Sequence, residues 1–196
     1  MAVKQRTPEV LRALQQVMQS TDTGDLEHAL ECLNLHQEHK LETRVYAEIM
    51  QSMNKIGMPK RALSWFQTAQ NHWDELDVRI YTCAITACAR SRDSRGACQL
   101  LKLMSDKGVR ANTVTYSAVI SACEKGGEWR KALQLMEEMQ IKGVTANTIT
   151  YNSAISACAR GAQWKRALQL LQDMQDKGIP ANTITYSAVI SACEKG

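Results

Sequence analysis

Proline and glycine are scarce, 3 and 10 in 196 residues, and aromatics make up 5% of the chain. That disfavours a many-stranded sandwich or barrel, and the prominence of Ala, Leu, Gln, Lys and Glu points to helices instead. No apolar run approaches the roughly 18–20 residues that cross a bilayer, and the first turns of the chain hold no apolar core with a small-residue cleavage site. No membrane partner is expected. There is no CxxC pair and no His/Cys cluster at zinc-finger spacing, and the 7 cysteines are an odd number, so neither a disulfide framework nor a metal site is expected. Strong charge of one sign is lacking as well. The 24 Lys and Arg against 20 Asp and Glu leave +4, too little to name a partner, so the distribution of charge must decide. With 44% apolar and 22% charged residues, the chain has the material for a folded all-α protein and not for wholesale disorder.

What the chain does have is periodicity. Every tyrosine falls on one 35-residue interval: Tyr46, Tyr81, Tyr116, Tyr151 and Tyr186. Cys88, Cys123, Cys158 and Cys193 keep the same interval, as do Ala62, Ala97, Ala132 and Ala167. Residues 113–147 and 148–182 are identical at 19 of 35 positions, and 183–196 differs from 113–126 only by Ile184 for Val114. One unit has been copied without gaps.

Within the unit, Tyr116, Val119, Ile120 and Cys123 share the i, i+3, i+4, i+7 face of a first helix, which Lys125-Gly126-Gly127 breaks. A second amphipathic run opens at Glu128, with Trp129, Ala132, Leu133, Met136 and Met139 on one face. Gly143 suits a left-handed helix end, Lys142 the negative end of the dipole, and Thr148 is expected to cap the next helix. A single hairpin of this size cannot bury its apolar face alone, so the units are expected to stack into an α-solenoid of helix-turn-helix hairpins with first helices along one surface. Column cysteines would then lie about 8–10 Å apart, beyond disulfide reach. The expected division is four units at 43–77, 78–112, 113–147 and 148–182, then 183–196 as the first helix of an incomplete further unit. Residues 1–42 read as a degenerate helical unit or cap. The chain looks truncated after Gly196, and its apolar edge at 183–196 is expected to self-associate or fray.

The pattern T-[VI]-T-Y-[SN]-x-x-I-S-A-C, followed by A-L-Q-L-x-x-x-M and K-G-[VI]-x-A-N, resembles the pentatricopeptide repeat family, with Ala where that family usually has Pro before the last residue of a unit. The resemblance covers 43–196 and is most specific over 113–196. It implies sequence-specific binding of single-stranded RNA, one base per repeat, in a mitochondrion or chloroplast, with a role in RNA processing, stability or translation. It also implies which residues read the base edge: Thr82 with Asn112, Ser117 with Asn147, Asn152 with Asn182, and Ser187 in the unfinished unit. Val114, Ile149 and Ile184 would pack against the base, Arg79 stands where the second unit would have such a residue, and Ala47 with Asp77 has lost one partner. Hydroxyls and amides both donate and accept, as reading a Watson–Crick edge requires. By the family's pattern the core is A-A-pyrimidine, read 5′ to 3′.

A second stripe stands on position alone. Lys55, Arg90, Lys125, Arg160 and Lys195 close each first helix, once per unit, matching a polyanion with one phosphate per nucleotide and also complementing the helix dipole. A rival column, Lys60, Arg95, Arg130 and Lys165, reads as a solvated outer face. His36-Gln37-Glu38 imitates the His-x-Glu of nucleoside deaminases but lacks the following Pro-Cys-x-x-Cys. No catalytic constellation, cofactor or small-molecule substrate is expected. The alternative class is a tetratricopeptide-like protein-binding scaffold, whose repeats run 34 residues rather than 35.

Overall fold

The computed structural model describes residues 43–196, so the degenerate unit expected over 1–42 lies outside the described residues. Nine helices follow one another in this range. The first helices are α1 (Thr43–Ile56), α3 (Val78–Arg90), α5 (Thr113–Gly126), α7 (Thr148–Arg160) and α9 (Thr183–Lys195). The second helices are α2 (Pro59–His72), α4 (Ser94–Asp106), α6 (Trp129–Ile141) and α8 (Trp164–Asp176). Each first helix packs on the next first helix, and each second helix lies against its own first helix and the following one. The fold is an all-α solenoid with the first helices as a continuous layer.

The starts of the helices follow from one side chain. Asn112, Asn147 and Asn182 hold extended backbone and accept from the backbone N–H three residues on, at Thr115, Thr150 and Thr185, over 3.0–3.1 Å. The cap expected at Thr148 therefore sits one residue earlier, at Asn147, because an amide oxygen reaches the N3 donor while Thr148 is already helical. Thr148 instead donates to the Pro180 carbonyl near the end of its own unit, as Thr113 does to Thr145. Asp77 caps α3 by the same contact to Ile80.

The turn inside each hairpin uses one left-handed position per unit: Gly57 (φ 88), Arg92 (φ 58), Gly127 (φ 77) and Ala162 (φ 53). Glycine takes that conformation freely, whereas a Cβ crowds the following carbonyl at a cost of roughly 1–2 kcal/mol. Consecutive units are also clasped at this end. A Cβ on Gly161 would lie 2.2 Å from Cδ1 of Trp129, so the indole rests directly on the backbone of the next unit's turn.

The core is the column of repeated residues. Tyr116, Val119, Ile120 and Cys123 are fully buried, as are Ala132 and Met139 on α6. Leu135 joins them, while Leu133 and Trp129 are only half-buried. At the last helix Val189 is buried against the preceding unit, but Tyr186 and Ile190 are 47% and 59% exposed. The buried tyrosines keep their hydroxyls satisfied at the far edge of the hairpin. Tyr116 donates to Glu138, which also takes Lys142 at 2.7 Å, and Tyr151, Asp173 and Lys177 repeat the arrangement. Lys142 thus serves its neighbouring carboxylate. Burial pushes both carboxyls up, but the bonds from lysine and tyrosine outweigh it and hold Glu138 and Asp173 below their ordinary range.

Two outcomes are expected. Ala162→Gly relieves the left-handed alanine and should raise unfolding stability by about 0.5–1 kcal/mol, after the entropy glycine costs is subtracted, as read from urea denaturation; a loss of stability would show that the turn is unstrained. Because Glu138 and Asp173 are depressed in the fold, their contribution is present above the unfolded carboxylate pKa and is lost as pH falls through the lowered one. The urea midpoint of a Glu138→Gln, Asp173→Asn variant should therefore drop less on acidification than the parent's, and equal drops would assign the acid sensitivity elsewhere.

Candidate nucleic-acid interface

The pairs singled out in the sequence converge through a residue that the sequence reading did not single out. Thr82 lies 2.9 Å from the hydroxyl of Thr115, and Thr115 in turn donates to Asn112 at 3.1 Å. Ser117, Thr150 and Asn147 repeat this at 2.7 and 2.9 Å. In the third pair Asn152 accepts from Thr185 at 2.6 Å and donates its amide to Asn182 at 3.2 Å. The middle threonine is buried in all three cases. The signal for it was in the sequence: Asn followed three residues later by Thr is a capping-box spacing.

This wiring decides what each side chain can still offer. Thr82 and Ser117 also lie 2.7 Å from the carbonyls of Val78 and Thr113, so a single hydroxyl proton is shared between two acceptors. The Oδ1 atoms of Asn112 and Asn147 each take two bonds, one from backbone and one from hydroxyl. Their Nδ2 groups make no hydrogen bond among the described residues, and both side chains are exposed. Each capping asparagine therefore presents two N–H donors outward.

Around these donors the surface is partly apolar and partly cationic. Val114, Ile149 and Ile184 are 61–64% exposed, one per unit at one place, two residues beyond the capping asparagine. A groove of about 610 Å³ brings Thr82, Asn112, Val114 and Arg79 together with Lys55 and Arg90. Lys125 is half-buried, and Lys195 is exposed on the last helix, where Ser187 is exposed too. Arg160 differs from its column: its guanidinium pairs with Glu124 of the preceding unit at 2.8 Å, so part of its charge is already matched. Among the described residues no helix is long and apolar enough to cross a membrane, and no group of three His, Cys, Asp or Glu could hold a metal ion.

The same backbone recurs in solved structures. Maize PPR10, in complex with an 18-nt psaJ RNA element, superposes with a TM-score of 0.72 at 21% identity over 94% of this chain and 30% of that one. The PPR domain of Arabidopsis thaliana protein-only RNase P 1, in complex with tRNA, gives 0.64 at 16% identity over 74% and 77%. Nuclear proteinaceous RNase P 2 of A. thaliana gives 0.78 at 12% identity over 96% and 42%. At these identities the likeness is one of fold, and the chain spans under a third of the length of PPR10. No curated protein matches it in sequence. The model of the PPR repeat family matches residues 76–125, 111–160 and 146–195, stepping by the same 35 residues as the tyrosines. Those matches run across more than half of the chain, in register with the helices and the capping asparagines, and the chain belongs to the PPR repeat family.

Proposed function

We propose that this chain binds single-stranded RNA along the layer of first helices, one base per repeat, as a module for organellar RNA processing, stability or translation. The observation that carries the reading is the groove itself: a hydroxyl, an amide donor, an exposed aliphatic residue and three cations line one surface within a single unit and its neighbours. Its parts suit a splayed nucleotide. The aliphatic residue offers a base a flat apolar contact, the asparagine amide donates to ring nitrogens or carbonyls, and the cations face the phosphates. The RNA-bound state of PPR10 and of the RNase P 1 domain supports the same class of ligand. In this reading the units are 43–77, 78–112, 113–147 and 148–182, with 183–196 beginning another, and binding rather than catalysis is the work of the module.

The pairs then read in chain order. Thr82 with Asn112 and Ser117 with Asn147 take adenine, and Asn152 with Asn182 takes a pyrimidine. Ser187 holds the hydroxyl position of the next pair. Ile149 and Ile184 pack against bases in the later units as Val114 does in the earlier one. Lys55, Arg90, Lys125 and Lys195 contact the phosphates, with Arg160 joining at the cost of its bond to Glu124.

Asn182→Asp separates capping from reading. Aspartate caps a helix as well as asparagine does, so α9 stays in place, but a carboxylate replaces the outward N–H donors. An acceptor suits the ring N–H of uracil and rejects the bare ring nitrogen of cytosine. The third position of a short RNA should shift from tolerating C toward U by about tenfold, about 1.4 kcal/mol, in competition binding. An unchanged preference with helicity intact would make these residues caps alone.

The cation stripe has its own signature. Binding of single-stranded RNA should weaken with salt at a log–log slope of about −2 to −4, each neutralised phosphate contributing roughly 0.7. Replacing Lys125 by Gln should flatten the slope by about one such increment, measured by filter binding. A flat parent response, or equal affinity for duplex RNA, would remove the stripe from the interface.

A further inference from the structure

The second helices carry a leucine at one fixed place, Leu63, Leu133 and Leu168, and Leu133 packs into the cluster that holds the column cysteine Cys158. The unit at 78–112 departs from this: Cys98 stands where the others have leucine. The result is a second thiol against the column. Cys98 Sγ lies 4.0 Å from Cys123 Sγ, across the junction between α4 and α5. Cys98 stands outside the column of Cys88, Cys123, Cys158 and Cys193, so this pair is formed by two positions that are not equivalent.

The two sulfurs are differently placed. Cys123 is fully buried, whereas Cys98 is half-buried and lines a groove of about 880 Å³ with Lys131, Glu138 and Tyr116. A hydrogen bond from the Cys123 thiol holds Cys98 below the ordinary thiol range against the opposing push of burial, with Lys131 helping and Glu128 and Glu138 opposing. Cys123 is raised by giving that bond and by burial. Cys83, Cys88 and Cys158 are pushed up to about 11, chiefly by burial, and are poor nucleophiles.

We propose that Cys98 and Cys123 form an oxidation-driven disulfide that fastens the second unit to the third, with a hydroperoxide as oxidant. The Cys98 thiolate attacks the terminal oxygen of the hydroperoxide, the O–O bond breaks, and the alkoxide leaves with the electron pair and takes up the proton that Cys98 gave. The sulfenic acid so formed is attacked by the Cys123 sulfur; the S–S bond forms, and the sulfenic oxygen departs as water with the Cys123 proton. Cys98 is the reactive partner and Cys123 the resolving one. Closing the pair needs the sulfurs to approach by about 2 Å, which side-chain rotation and a small shift of α4 toward α5 supply, since cysteine is smaller than the leucine it replaces.

The test uses the full chain carrying Cys32→Ser and Cys193→Ser, to suppress links between molecules. Reduced protein is treated with a small excess of hydrogen peroxide, free thiols are blocked, and the intact mass and tryptic map are read. The expected product has lost two hydrogen atoms and joins the peptide 96–102 to 111–125. Dithiothreitol should reverse it, and amide exchange at the α4–α5 junction should be slower while it lasts. Cys98→Leu, which restores the residue of the other units, should abolish the link with helicity unchanged. A map in which Cys98 is carried to sulfinic acid, joins another cysteine or stays reduced overturns the proposal. None of these readouts involves RNA, so the outcome is independent of the binding reading.

Discussion

In each of α5, α7 and α9 the third residue is a threonine whose hydroxyl lies within hydrogen-bond distance of the asparagine capping its own helix and of a polar side chain on the preceding first helix. That one buried group sets where a helix begins and how its neighbour is aligned with it. A slip of either helix by one residue would strand the hydroxyl without partners inside the stack, at a cost of about 1–3 kcal/mol. The constraint is passed from unit to unit. Because Thr115 and Thr150 fix the alignment, Tyr116 and Tyr151 behind them enter equivalent buried positions, and the aliphatic residue before each of Thr115, Thr150 and Thr185 is turned outward. The regular spacing of the exposed Val114, Ile149 and Ile184 is thus a consequence of buried polar contacts.

The same contacts limit the chemistry left at the surface. Thr82 and Ser117 divide one proton between a backbone carbonyl and the next unit's threonine, so neither is a free hydroxyl in the ordinary sense. Asn152 spends its oxygen on Thr185 and one donor on Asn182. Capping, alignment and ligand contact therefore share a few atoms. A change that alters what the groove offers also bears on how the helices are held, unless it keeps the acceptor that the cap needs.

The helices, their order and most of the core could be read from the sequence because copying repeats the signal. Tyr116, Val119, Ile120 and Cys123 announce one buried face, and the structure buries all four. The layer of first helices follows from the same pattern. The misplaced cap at Thr148 shows where the reading failed: hydroxyl and amide residues sit side by side at 147–148, and only the reach of the side chain to the N3 donor separates them. Arg160 pairs with Glu124, 36 positions away, through a contact that exists only once units are stacked. Cys98 was likewise invisible as a partner for Cys123, since periodicity draws the eye to equivalent positions and this pair joins unlike ones. The candidate ligand residues were legible as a family pattern, but the threonine that connects each pair belongs to no pair and stood outside it.

An ordinary surface asparagine can turn its amide over and offer whichever end a partner wants. Asn112, Asn147 and Asn182 have lost that freedom. Rotating the amide would set an N–H group against the backbone N–H of Thr115, Thr150 or Thr185, donor facing donor, and would also break the bond from the threonine hydroxyl. The orientation of each outward amide is fixed before any ligand arrives. A ligand that brings donors to these positions finds no acceptor and cannot induce one without loosening the start of a helix and its junction with the next, so polarity at the groove is enforced by the same backbone that builds it.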